Sequence, residues 1–109
     1  LARAKDMIKV NGMSVFPAEV ESLLVDHPAI DTVAVVPAPD PESGQRPVAF
    51  VTTVGEVTGA DVEQWARDRM AVYKVPFVEV LPAFPLTDTG KIRKGELLEL
   101  AGEVVAARG

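Results

Sequence analysis

Cysteine is missing from the 109-residue chain. With it go disulfide bridges, thiolate metal sites and a cysteine nucleophile, a usage that fits a reducing compartment. Histidine occurs once, as His27, just before Pro28 at the expected end of a helix. The helix dipole favours an imidazolium there, and no second ligand or nucleophile is close in sequence, so a structural role is expected and no metal site. Aromatic residues make up only 6%, so Trp65, Tyr73 and Phe77 make a poor stacking platform, and Trp65 and Phe77 are read as core. Positive charge is in deficit: 11 Lys and Arg against 16 Asp and Glu give 11 − 16 = −5. An extended duplex-binding surface would have to overcome that repulsion, so nucleic acid is not an expected partner. Apolar runs stay well short of the roughly 20 residues that cross a bilayer, so no transmembrane segment is expected. "LARAKDM" also lacks the apolar centre and cleavage pattern of a signal peptide, and a cytoplasmic location is expected. The first position is Leu1 rather than methionine, which leads us to expect a piece of something longer.

What the chain does have is a hydrophobic fraction of 48%, enough for one domain with a modest core. "DMIKVNGMSV" sets two short apolar runs around Asn11-Gly12, a dipeptide that tolerates positive φ and signals a hairpin. "FPAEVESLLVDHP" reads as a helix, with Pro17 at its first position, Glu19 and Glu21 in its first turns, and Val20, Leu23 and Leu24 on one face before Pro28 ends it. "DTVAVVPAPD" and "RPVAFVTTV" are rich in β-branched residues, and the short link "PESGQ" predicts an antiparallel pair. "TGADVEQWARDRM" predicts a helix capped by Thr58 and Asp61, with Val62, Trp65 and Ala66 as its stripe. "FVEVL" is a third core strand. The remainder, from Ile92 through Leu97, Leu98 and Val105, has a rough helical period weakened by Gly95 and Gly102, with an end expected to fray. The order predicts an α+β domain: an N-terminal β-hairpin, then a small mixed sheet of about three strands packed against helices.

Charge is uneven along the chain. Residues 1–14 carry Arg3, Lys5 and Lys9 against Asp6, and residues 84–94 carry Lys91, Arg93 and Lys94 against Asp88, each a local balance of 3 − 1 = +2. Two basic loops on an acidic protein suit an anion such as phosphate or carboxylate, or they are solvated surface. "TDTGK" is not a nucleotide-binding P-loop, because Pro85 stands where its first glycine belongs and Ile92 follows the lysine. A plainer account has Thr87, Asp88 or Thr89 capping the last helix and Gly90 relieving a turn. Glu19 and Glu21, two apart on a helix, point in different directions and make no acid–base pair.

In order and spacing, "RAKDMIKVNGMSVFPAEVES", "YKVP" and "PLTDTGKIRK" resemble the C-terminal domain of the adenylate-forming enzymes, above all the acyl-CoA synthetase or fatty-acid-CoA ligase branch. The likeness covers residues 1–109. It implies the mobile C-terminal domain of an AMP-forming ligase whose N-terminal adenylate-binding domain lies outside this chain. The intact enzyme would use a carboxylic acid, by resemblance a fatty acid, with ATP, Mg and coenzyme A, while this domain alone would be inactive and bind none of them. The resemblance assigns Lys91 as the adenylation lysine, presented by Gly90, and Lys5 as the hinge of a domain rotation. Arg3 would approach the ribose and Lys9 the adenylate. Gly12 would line the pantetheine channel, with Lys74 and Arg67 toward the nucleotide end of coenzyme A. The family usually has glycine where this chain has Ala2. A carrier-protein-loading or luciferase-like enzyme, and a stand-alone non-catalytic interaction module, are the alternatives. Reversible acetylation of Lys91 by a lysine acetyltransferase and deacetylase is a further expectation.

Overall fold

A computed structural model describes residues 7–108; Arg3 and Lys5 lie outside the described residues. Asn11 at φ +52° and Gly12 at φ +81° form the tip of the first hairpin, the pair of positive dihedrals that a tight two-residue turn needs. The turn joins β1 (Ile8–Val10) to β2 (Met13–Val15) in antiparallel register. Pro17 then opens α1 (Pro17–Leu24), which buries Val20 and Leu24. The long strands β3 (Ile30–Asp40) and β4 (Gly44–Thr53) pair antiparallel, as the short link predicts. α2 (Gly59–Arg67) starts with the expected box: Thr58 Oγ1 accepts from the Asp61 N–H and the Asp61 carboxylate accepts from the Thr58 N–H. β5 (Phe77–Val80) and α3 (Lys94–Arg108) complete the order.

The sheet differs from expectation in its extent. Val10 pairs with Gly44 and the Asn11 N–H donates to Ser43 O at 2.9 Å, so the hairpin extends the main sheet rather than standing beside it. β5 joins β4 in parallel, from Val48↔Phe77 to Val51↔Val80. β4 therefore gives its Gly44 end to β1 and its Val48–Val51 stretch to β5 along one flank, with β3 along the other. Strand alternation sends Val35, Ala49 and Val51 to one face, where Val20, Leu24, Val62 and Ala66 of α1 and α2 cover them. Ala34, Val36, Val48 and Phe50 face the other way, onto Leu97, Ala101 and Val105 of α3. The result is three layers, helices on both sides of a five-stranded sheet.

Two of the sheet's edges, β3 and β5, are blunted against further pairing. In β3 the outward-facing series is Val33, Val35, Pro37 and Pro39. The two prolines offer no N–H, and the Val35 N–H donates to Glu21 Oε2 at 2.8 Å; such devices blunt an edge strand. On β5 the Val78 N–H donates to Glu63 Oε2 at 2.8 Å. Glu63 is buried, at 6% exposure, and Arg108 clamps its two oxygens. That clamp ties the end of α3 to α2.

Candidate functional site

The segment between β5 and α3 folds back on itself. Leu86 bridges Ile92, the Arg93 N–H donates to Pro85 O at 2.8 Å, and the Arg93 guanidinium Nε donates to Leu86 O at 3.0 Å. Inside that closed base, the Thr87 N–H donates to Lys91 O at 2.7 Å and the Lys91 N–H donates to Thr87 Oγ1 at 3.1 Å. The Gly90 N–H donates to Thr87 O at 2.9 Å, and Gly90 stands at φ +85°, where a side chain would be strained. Open space surrounds a Cβ built there, so within this domain Gly90 is required by dihedral and not by crowding. Lys91, Arg93 and Lys94 are all exposed. Among the described residues Lys91 has no carboxylate within ion-pair distance, whereas Arg46, Arg67, Lys74 and Arg108 each have one. A mobile ammonium with its donors uncommitted is suited to an incoming oxyanion.

Two expectations about this loop need correction. α3 begins at Lys94, and the Glu96 and Leu97 N–H groups donate to Arg93 O, so Thr87, Asp88 and Thr89 do not cap it. Ile92 belongs to the bridge, not to the helix. Thr87 instead uses its N–H, carbonyl and Oγ1 in closing the turn to Gly90 and Lys91.

The hairpin presents the second group of candidates. Lys9 is exposed, its Nζ 3.2 Å from Ser14 Oγ and its N–H 2.9 Å from Gln45 Oε1. Gly12 is exposed with open space about it. Beneath the hairpin, Asp40 accepts from the Glu42 N–H, Ser43 Oγ and Arg46 Nε. The Glu42 backbone bond, Arg46 and Ser43 together pull its carboxyl down to about 2. Lys74, in a 3₁₀ turn (Val72–Lys74), pairs with Glu19 of α1, and that bond raises its pKa. Arg67 lies on α2, 3.0 Å from Gln64 Oε1 and 3.9 Å from buried Glu63. Lys74 is thus tied to the helix that follows the hairpin, while Arg67 is tied to the Glu63 cluster. Glu19 and Glu21 diverge as expected, one to Lys74 and the other to Val35. His27 is structural as expected, but through a lone pair: Nδ1 accepts from the Ala29 N–H at 3.0 Å while the ring stands edge-on to Trp65 at 5.1 Å.

Topology separates the two groups. The hairpin meets the sheet at Gly44, and Val105, Ala106 and Arg108 at the end of α3 share a cavity with Gly44 and Asp40. The start of α3 lies about 21 Å back along its axis, at 1.5 Å per residue. β5 also leaves β4 at Val51, with the Leu81 N–H donating to Val51 O at 2.8 Å, some 23 Å from Gly44 at strand rise. The Lys91 loop is anchored at both feet to the end of the sheet opposite the Asn11-Gly12 turn. The exposed Lys91 loop and the Asn11-Gly12 turn thus stand toward opposite ends of the sheet.

The family model described as the AMP-binding enzyme C-terminal domain matches residues 19–91. The chain belongs to that family. Feruloyl-CoA synthase from Amycolatopsis sp is 41% identical over 98 residues, covering 87% of this chain and 20% of its own length. The 4-coumarate–CoA ligase of Pinus taeda is 39% identical over 99 residues, covering 87% and 18%. Among solved structures, a Mycobacterium tuberculosis fatty acyl CoA synthetase superposes with a TM-score of 0.81 at 36% identity, covering 94% of this chain and 21% of that one. The chain therefore spans about one fifth of the length of the curated relatives it matches. The α+β fold is that of the C-terminal domain of acyl-CoA synthetases.

Two residues of this AMP-binding enzyme C-terminal domain escaped the sequence reading. Glu63 sits between Val62 and Ala66 on the apolar face of α2, and a carboxylate inside such a stripe is itself a signal of a buried pair. Arg108 gave no signal, because its partner is 45 residues away.

Proposed function

We propose that residues 1–109 form the mobile C-terminal domain of an ATP-dependent, AMP-forming acyl-CoA ligase, acting with an N-terminal adenylate-binding domain of the same protein. The observation that carries this reading is the exposed Lys91, without an ion-pair partner among the described residues, on a closed loop at the pole opposite the Gly12 turn. In the first pose Lys91 enters the partner domain as a substrate carboxylate oxygen attacks the α-phosphorus of ATP and the bond to pyrophosphate breaks. Negative charge on the carboxylate and α-phosphate oxygens is greatest there, and a preplaced ammonium stabilises it. In the second pose the lysine withdraws and the hairpin lines the approach of coenzyme A, whose thiolate sulfur attacks the acyl carbon and expels AMP. Gly12 leaves the channel open, Lys9 lies toward the adenylate, and Lys74 and Arg67 face the nucleotide end of coenzyme A. Arg3 approaches the ribose and Lys5 is the hinge. Mg²⁺ accompanies ATP at the partner domain, and this domain alone binds neither nucleotide nor acid. We place the enzyme in the cytoplasm, where acetylation would neutralise Lys91 and deacetylation restore it.

The coenzyme A acceptor is favoured over a carrier protein because the relatives above are named as coenzyme A ligases or synthetases. The test is an assay of the intact protein with ATP, a panel of fatty and aromatic acids, and either coenzyme A or a phosphopantetheinyl carrier. AMP release that depends on one acid and on coenzyme A is expected. Release dependent only on the carrier, or none with any acid, would overturn the reading.

A further inference from the structure

Thr87 holds both backbone polar groups of Lys91. Its N–H donates to Lys91 O at 2.7 Å, and its Oγ1 accepts from the Lys91 N–H at 3.1 Å. Its own carbonyl takes the Gly90 N–H at 2.9 Å. The side chain is half-buried, and its other close polar neighbour is Thr89 Oγ1 at 3.1 Å. Both backbone hydrogen bonds of Lys91 thus go to one residue four positions earlier, above a base closed by the Leu86–Ile92 bridge and the Arg93 bonds to Pro85 and Leu86. The lysine side chain has no partner of its own among the described residues, so its aim depends on this backbone.

We propose that Thr87 is a positioning residue for adenylation, acting through Lys91; this rests on the reading of Lys91 given above. The loop is built before it meets the partner domain, so domain rotation delivers a lysine already aimed. Removing the Oγ1 acceptor frees the Lys91 N–H to turn toward water and lets the peptide plane rotate. A displacement on the order of 1 Å at a charge-stabilising group costs about 10²-fold in rate. Because the loop lies at the pole remote from the hairpin, the thioester half-reaction does not require the bond.

The test uses the intact enzyme and its two half-reactions, pyrophosphate exchange for adenylation and thioester formation from preformed acyl-adenylate, with Lys91→Ala as the reference. Thr87→Val, isosteric but unable to accept, is expected to lower kcat for adenylation about 10²-fold with KM for ATP unchanged, to leave thioester formation within twofold, and to speed amide exchange across residues 85–94. Thr87→Ser, which keeps the acceptor, should restore adenylation, and Thr89→Ala should stay within threefold of wild type. If Lys91→Ala abolishes adenylation while Thr87→Val leaves it intact, the positioning role is overturned and the lysine assignment stands. Equal loss of both half-reactions in Thr87→Val, or no recovery in Thr87→Ser, overturns it as well. Adenylation surviving in Lys91→Ala instead overturns the underlying reading. Should Thr87→Val prove poorly folded, Thr87→Ala, which also lacks the acceptor, carries the same comparison: selective loss of adenylation supports the role, and adenylation at the wild-type rate or equal loss of both half-reactions overturns it.

Discussion

Gly12 and Gly90 stand at φ +81° and +85° with open space where a side chain would go, so conformational strain and steric obstruction can be separated by choosing the substituent. Asparagine enters the left-handed region readily and a branched residue does not. Gly12→Asn is expected to keep the hairpin, with a urea midpoint near that of the parent, while slowing thioester formation from acyl-adenylate and sparing adenylation. Normal thioester formation in that variant would remove Gly12 from the channel. The same residues show how far a sequence can be read. Asn11-Gly12 announces its turn because the required dihedrals are a property of the dipeptide itself. The Lys91 loop announces its lysine by resemblance, but the clamp from Thr87 is hidden, since a threonine before a glycine reads equally well as a helix cap. Which bond forms is settled only by where α3 starts, at Lys94.

At the scale of elements, α2 is fixed to β5 more closely than its amphipathic pattern suggests. A Cβ at Gly59 would lie 2.3 Å from Val78 O, so Gly59→Ala must push the start of α2 off the strand. A cost of roughly 1–3 kcal/mol is expected from such overpacking, read as a lower urea midpoint. Gly95 and Gly102 of α3 have nothing within 4 Å of a Cβ; alanine at either is expected to stabilise by about 0.5–1 kcal/mol through helix propensity. The opposite signs in one experiment test whether Gly59 is held by contact. Glu63→Ala strips the Val78 N–H of its acceptor and leaves Arg108 unpaired, so a loss of about 2–3 kcal/mol is expected. Glu63→Gln, which keeps the acceptor, should lose less. Strand and helix spans were legible from period and β-branching. The pairing of β5 with β4 and the union of hairpin and sheet were not, because they depend on contacts between distant segments. Pro47 marks the point on β4 where partners change from β1 to β5, a reading available only once the register is known.

At the scale of the whole molecule the Lys91 loop and the Gly12 turn stand toward opposite ends of the sheet, and Asp40, near the hairpin, contributes to the acid response. The Asp40 carboxyl is held at about 2 against an ordinary 3.8 by the Glu42 N–H, Arg46 and Ser43. A folded-state value below the unfolded one adds stability that is fully present above pH 4 and is lost as pH falls toward 2. Asp40→Asn should flatten the unfolding free energy across that window, and an unchanged pH slope would mean that the carboxylate contributes nothing. At the other pole sits the claim on which the functional account stands, that one ammonium group serves adenylation and then leaves. The direct measurement is the pair of half-reaction rates for Lys91→Ala in the intact enzyme. Adenylation should fall by a factor of about 10² or more, the scale of a removed charge-stabilising group, while acyl transfer from preformed adenylate to coenzyme A proceeds at the wild-type rate. Parallel loss of both rates, or adenylation undiminished, would contradict the account.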